Sequence, residues 1–190
     1  MRLRADWLTH RVEAIAAEPH RVVFIDETCF KTNMTPLYGR APRGQRLIAD
    51  APFGQWKTQT FIAGLRYDRM VAPWVFDGAM NQEAFVTYIQ TQLAPTLKPK
   101  DVVIMDNLSS HKSHQAHAII RQTGAWSLFL PPYSPDWNPI EMAFSKLKAW
   151  VRRAKARTLT DLWQTIGDVC DLFSEQECRN YFFAAGYEPA

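Results

Sequence analysis

Val102-Val103-Ile104-Met105-Asp106-Asn107 and Tyr133-Ser134-Pro135-Asp136-Trp137-Asn138-Pro139-Ile140-Glu141 bound the stretch on which the reading of this chain turns. The first is a short apolar run that ends on a carboxylate. The second is a turn that launches a helix carrying another acid, with thirty-four residues between Asp106 and Glu141. Upstream, Val22-Val23-Phe24-Ile25-Asp26 ends in the same way. Short, uniformly apolar runs rich in β-branched residues read as strands covered on both faces. Two strands tipped with aspartate and one helix headed by glutamate make Asp26, Asp106 and Glu141 candidates for a single metal site, and such a constellation points to nuclease chemistry.

The pattern around these blocks predicts an α/β domain. Trp7, Leu8, Val12, Ile15 and Ala16 recur at helical spacing over residues 5–17, a short helical leader. Residues 36–54 are rich in Pro and Gly and carry Arg40, Arg43 and Arg46, a basic loop with a brief strand expected at 46–49. Strands are expected at 58–66 and 70–76, joined as a hairpin, with Pro73 pushing the second toward the sheet edge. Asn81 can cap a helix that runs to about Leu93, and strand 101–106 follows. A helix over 113–122, stopped at Gly124, leads into a strand at 125–130.

The helix after Asn138 and Pro139, read as its cap and first residue, is the most informative. At 100° per residue, Ile140, Phe144, Leu147, Trp150, Val151 and Ala154 fall within an arc of about 120° that would pack on the sheet. Glu141 lies just outside it, heading a stripe of Lys148, Arg152 and Lys155. No acid follows Glu141 until Asp161, whereas ordinary surface helices mix both signs, so this stripe and the arginine loop suit a phosphate backbone. Capping-box spacings at Thr158/Asp161 and Ser174/Glu177 predict two further C-terminal helices.

Parallel pairing of strands 21–26 and 101–106 would set Asp26 and Asp106 side by side at their carboxyl ends, where open α/β sheets place their sites. Clustered carboxylates repel one another and are stable in ionised form mainly around hard cations. Oxygen ligands without Cys or obligatory His select Mg²⁺ or Mn²⁺, and two such ions would serve in-line attack on phosphorus. Taken singly, an Asp at a strand end is a common turn residue and a Glu in a first helical turn favours the dipole. Their joint occurrence in this order carries the metal reading.

Phe24-Ile25-Asp26-Glu27-Thr28, Met105-Asp106-Asn107-Leu108-Ser109-Ser110-His111 and Leu130-Pro131-Pro132 through Glu141 resemble the three catalytic blocks of DDE transposases of the mariner-type superfamily, in particular its bacterial insertion-sequence branch. The likeness spans about 21–155 and includes the loop Gly39-Arg40-Ala41-Pro42-Arg43-Gly44. It implies a ribonuclease H-like fold, a mixed central sheet flanked by helices, here with extra C-terminal helices. It implies Asp26, Asp106 and Glu141 as ligands of Mg²⁺ or Mn²⁺, two ions in all, and cleavage and strand transfer of DNA in transposition. Asn107 and His111 match polar positions that either orient the substrate or a carboxylate, or cap a turn. Asp136 and Asn138 read as turn and cap residues rather than ligands, with Asn138 counted, like Asn107 and His111, as a supporting residue of the site. Glu27 points the opposite way from Asp26 if the strand persists, and is not counted in the site.

The partners so implied are transposon-end and target DNA, together with a DNA-binding N-terminal segment or a separate polypeptide; a homodimer is allowed. Only about 20 residues precede the first catalytic strand, so residues 1–20 are read as a leader, 21–190 as the catalytic domain, and the family's helix-turn-helix region as absent. Two other functions compete: a host ribonuclease H-like nuclease, against which the wording of the third block argues, and a truncated non-catalytic regulator, against which the retention of all three acids argues.

Composition bounds the rest. A chain of 190 residues, 47% hydrophobic and carrying seven Trp, eleven Phe and six Tyr, can fill one domain core. A net charge of +3 permits a polyanionic partner without requiring one, so the placement of charge decides. Three cysteines, Cys29, Cys170 and Cys178, lack zinc-ligand spacing and are an odd set for disulfides, which suits a reducing cytoplasm; that it is bacterial, with association with the nucleoid, is what the resemblance implies. No apolar run reaches the roughly 18 residues of a membrane span, and none is expected to meet a membrane.

Overall fold

Ten residues, Val22–Lys31, form strand β1 and run straight through the position at which the sequence suggested an end. The structure is a computed structural model that describes residues 2–50, 52–53 and 56–187; Gly54 of the basic loop and the last three residues of the expected 21–190 domain lie outside it. β1 pairs antiparallel with β2 (Thr58–Leu65) from Phe24↔Leu65 to Lys31↔Thr58. On its other side it pairs parallel with β4 (Val102–Met105), but only through Val22↔Val102, Val23↔Val103 and Phe24↔Ile104. β3 (Met70–Asp77) lies antiparallel on β2, and β5 (Trp126–Phe129) parallel on β4, giving the order β3-β2-β1-β4-β5. This mixed sheet, with its two antiparallel and two parallel pairings, is the ribonuclease H-like arrangement that the resemblance implied.

Several expectations are met for local reasons. The apolar run of β1 is central and covered on both faces, and Pro73 lies in the edge strand, where a missing N–H costs no ladder bond. Between β2 and β3 the register shifts at Ile62/Gly64; a Cβ on Gly64 would come within 2.9 Å of Val23 Cγ1 and 3.0 Å of Val71 Cγ2, so only glycine lets the sheet close there. By contrast, no strand forms at 46–49: Arg46, Leu47, Ile48 and Ala49 are coil, because no neighbouring strand offers them a ladder.

Alternation along β1 sends its side chains to two cores. Val23 and Ile25 face one layer with Val103 and Met105, closed by Phe85 and Tyr88 of α3 (Gln82–Tyr88), Ile89 and Leu93 of the wide turn that prolongs it, and Ala116 and Ile120 of α4 (His114–Gln122). Phe24 faces the other with Phe61 and Ile104. That layer is closed by Ile140, Phe144, Leu147 and Val151 of α5 (Ile140–Ala154), by α6 (Leu159–Cys170) and by α7 (Glu175–Ala184). Four wholly buried side chains from one helix contribute on the order of 1.5–3 kcal/mol each, enough to fix α5 on the sheet. The expected packing arc of α5 is too wide, since Trp150 is 39% exposed and Ala154 is exposed. The helix also ends at Lys155, which turns left-handed at φ 53, so the basic stripe finishes on a cap.

Residues 2–17 form two helices, α1 (Arg2–His10) and α2 (Val12–Ala17), and they are part of the domain core. Trp7 is 4% exposed, stacks on Trp137 and donates from Nε1 to Tyr187 Oη at 3.3 Å, while Ile15 joins the same cluster. The expected capping contacts form at Asn81, Thr158 and Ser174. No helix among the described residues is long and apolar enough to cross a membrane.

Candidate active site

Beyond Phe24 strand β1 keeps β2 as its neighbour and loses β4, so a crevice opens along its free edge. Continuing the β1/β4 register sets Asp26 beside Asp106, which stands just past the end of β4. Glu141 enters from above on the first turn of α5. All three line one cleft of about 510 Å³, together with Asn107, Leu108, Lys112, the wall Leu130–Pro135, and Asn138.

Asp26 is 7% exposed. Its Oδ1 accepts from the Glu27 backbone N–H at 2.8 Å and its Oδ2 from Asn138 Nδ2 at 2.8 Å. Burial, then the charges of Glu141, Glu27 and Asp106, push its carboxyl well above the usual range, against the pull of the Glu27 N–H. This mutual repulsion places the three acids in one another's field.

Asn138 departs from its expected role. Its backbone is extended, as a cap's would be, and Glu141 N–H donates to its carbonyl at 3.1 Å. The helix begins instead at Ile140 with Pro139 as the flanking residue, and the Asn138 side chain turns inward to Asp26. A carboxylate that needs a donor outcompetes a helix end whose N–H groups can meet water. Asp136 meets the other expectation of a turn residue, in a short turn Pro135–Trp137, and is gripped by Arg4 through two hydrogen bonds of 2.9 and 2.6 Å.

The imidazole of His111 touches two carboxylates: Nε2 lies 2.9 Å from Glu27 Oε2, and Nδ1 lies 2.7 Å from Asp106 Oδ1, a close ionic contact off the line of an ideal hydrogen bond. Burial pulls its pKa down, but the hydrogen bonds and charges of Asp106 and Glu27 outweigh burial and raise it to about 9. The side chain of His111 is thus turned toward carboxylates and not onto the backbone of its own turn. Glu27 does point to the face opposite Asp26. Asn107 is exposed on the cleft lip. Among the described residues Arg40, Arg43, Arg46, Lys148, Arg152 and Lys155 take part in no ion pair, and none of them lines the cleft. The cation that does line it is Lys112, which the sequence reading passed over although it follows His111 directly.

As the side chains stand, no three Asp, Glu, His or Cys among the described residues share a point at ligating distance. The donor set still fits a hard divalent cation, being carboxylate oxygens on one cleft with no thiolate among them.

A family model described as DDE superfamily endonuclease matches residues 21–163, which holds all three acids. This chain belongs to that family. No curated protein sequence matches it. Among solved structures, the DDE chain resembles the Mos1 transposase paired-end complex with left transposon end, at TM-score 0.71 and 12% identity over 96% of this chain and 55% of the other. It resembles the Mos1 mariner paired end complex with Mn at TM-score 0.70 and 13% identity, over 97% and 57% of the two chains. The catalytic domain of Mos1 mariner transposase gives TM-score 0.62 and 11% identity, over 96% and 82%. At such identities the likeness is one of fold. The chain spans little more than half the length of the Mos1 chains in the paired-end complexes.

Proposed function

We propose that this chain is the catalytic domain of a transposase of the mariner type, in the bacterial insertion-sequence branch, cutting DNA and transferring strands with divalent cations held by Asp26, Asp106 and Glu141. The observation that carries the reading is the meeting of these acids, from β1, the end of β4 and the start of α5, on one cleft. Mg²⁺ or Mn²⁺, two ions in this reading, would supply the Lewis acid for in-line attack on a phosphodiester. The protein's own groups do the rest. Asn138 and the Glu27 N–H hold Asp26, Lys112 meets a phosphate, and the ring of Tyr133, 98% exposed at the rim, offers a face on which a base can stack. The wall Leu130–Pro135 shapes the cleft around the strand.

Arg40, Arg43 and Arg46, all exposed, and Lys148, Arg152 and Lys155 on and just past α5 are proposed to bind the DNA backbone. Such contacts position without reading bases. With about four to six phosphates neutralised, log K should fall against log salt with a slope of about −4 to −5. Recognition of the transposon ends would fall to a DNA-binding segment of the same or a separate polypeptide, with a homodimer pairing two ends in the cytoplasm.

The test is cleavage of plasmid DNA by the purified chain with Mn²⁺ or Mg²⁺. Activity should vanish on chelation and in Asp106→Asn, which keeps the shape of the side chain and removes its charge. Full cleavage by that variant would take Asp106 out of the site.

A further inference from the structure

His111, buried, and Glu27, its side chain 15% exposed, are polar groups to which the chemistry above gives no task. His111 has no exposed surface, and its ring lies 4.5 Å from that of Phe85, so it is fixed in place. Both ring nitrogens face carboxylate oxygens, Glu27 Oε2 at 2.9 Å and Asp106 Oδ1 at 2.7 Å. Nε2 is hydrogen-bonded to Glu27, while Nδ1 lies against Asp106 in a close contact off the line of an ideal hydrogen bond. Glu27, His111 and Asp106 thus form a line that starts on the α3/α4 face of the sheet and ends in the crevice on the other side.

Asp106 needs such a support. It stands past the last ladder pair of β4 on coil, its side chain 35% exposed. Among the described residues, besides His111 only the Leu108 N–H reaches it, at 3.2 Å. Both contacts fall on Oδ1, and among the described residues Oδ2 accepts no hydrogen bond. A carboxylate held by one oxygen presents the other in a fixed direction, as the outer partners of metal ligands do.

We infer that Glu27, acting through the imidazole of His111, is a positioning residue that holds Asp106 with Oδ2 turned into the cleft to receive a divalent cation; this rests on the reading of Asp106 as a cation ligand. Strand alternation, which removes Glu27 from the site as a ligand, is what lets it support the site from behind.

Calorimetric titration of the full chain with Mn²⁺ tests this, with thermal melts alongside. Asp106→Asn should abolish or cripple binding. Glu27→Gln and His111→Gln should each weaken Mn²⁺ binding by roughly tenfold to a hundredfold, and the double variant should bind no worse than His111→Gln alone. Glu27→Asp keeps the charge beside Asp26 but is one methylene short of the ring, so it should weaken binding too; it decides the matter if Glu27→Gln does not fold. Wild-type affinity in Glu27→Gln or Glu27→Asp, with binding lost in Asp106→Asn, would overturn the inference and leave the functional reading standing. Equal losses from Glu27→Gln with and without His111 would overturn it as well, since Glu27 would then act by its field alone. Unchanged binding in Asp106→Asn would sink the functional reading and the inference with it.

Discussion

Replacing Trp7 with Ala removes the side chain that fastens the N-terminal helices to the loop bearing Asn138. Trp7 is 4% exposed, its ring centroid is 6.5 Å from that of Trp137 at 13° between planes, and its indole N–H bonds Tyr187 Oη. Truncating a buried aromatic of this size to Ala costs about 3–5 kcal/mol, cavity included. Taking about 4 kcal/mol and a urea dependence of about 3 kcal/mol per molar, the unfolding midpoint should fall by about 1.3 M. The melting temperature should fall by about 8–16 °C at 2–4 °C per kcal/mol for a domain of this size. Urea unfolding followed by circular dichroism reads the first and calorimetry the second. Leu8→Ala, at a neighbouring position 53% exposed, is the control and should stay within about 0.5 kcal/mol. A midpoint shift in Trp7→Ala no larger than in the control would mean that α1 is a detachable leader after all, and that its docking does not support the loop.

Three further outcomes can be checked. Arg66→Leu should destabilise the fold by about 3–5 kcal/mol in urea, because the Arg66–Asp101 pair, 2.6 Å apart with side chains 6% and 5% exposed, would leave the buried Asp101 carboxylate without a counter-charge, held only by the Lys98 N–H at 2.8 Å; a loss under about 1 kcal/mol would show that this N–H or water compensates. Asn138→Ala removes the side-chain donor to Asp26 and should weaken Mn²⁺ binding by about tenfold or more, at about 1.5–3 kcal/mol for a hydrogen bond to a charged group; unchanged calorimetric affinity would count against Asp26 as a ligand. The hydrogen bond and charge of Arg4 hold the Asp136 carboxyl below its ordinary range. Its contribution is therefore present above that range and lost as pH falls through the lowered value, so melting temperature in wild type should drop more steeply than in Asp136→Asn between about pH 5 and pH 2; parallel curves would show that the pair adds nothing.

Much of the fold was legible because it rests on near neighbours in the chain. Strand runs, helical spacing and the capping contacts at Asn81, Thr158 and Ser174 are set within a few residues, and they form where the spacing places them. Pro73 marked the sheet edge for a reason that needs no partner. Asp106 and Glu141 stood out because each sits where its own element ends or begins, whereas Asp26 lies inside β1 and was marked only by the apolar run before it. The errors came where competition between distant groups decides. Asn138 has every local feature of a cap, yet Asp26, 112 residues away, takes its side chain.

What the sequence by itself determined, then, is the order of the elements and the three acidic blocks, because backbone periodicity and turn chemistry act over one or two turns. Only the tertiary structure decided that α1 belongs to the core through Trp7 and Tyr187, 180 residues apart, and that Glu27 reaches Asp106 by way of His111, 84 residues on. These contacts depend on how the sheet sets two faces back to back and on which buried polar group finds the nearest partner. A buried donor or acceptor must be satisfied by whatever the fold brings within about 3 Å, and that neighbour is fixed by packing rather than by position along the chain.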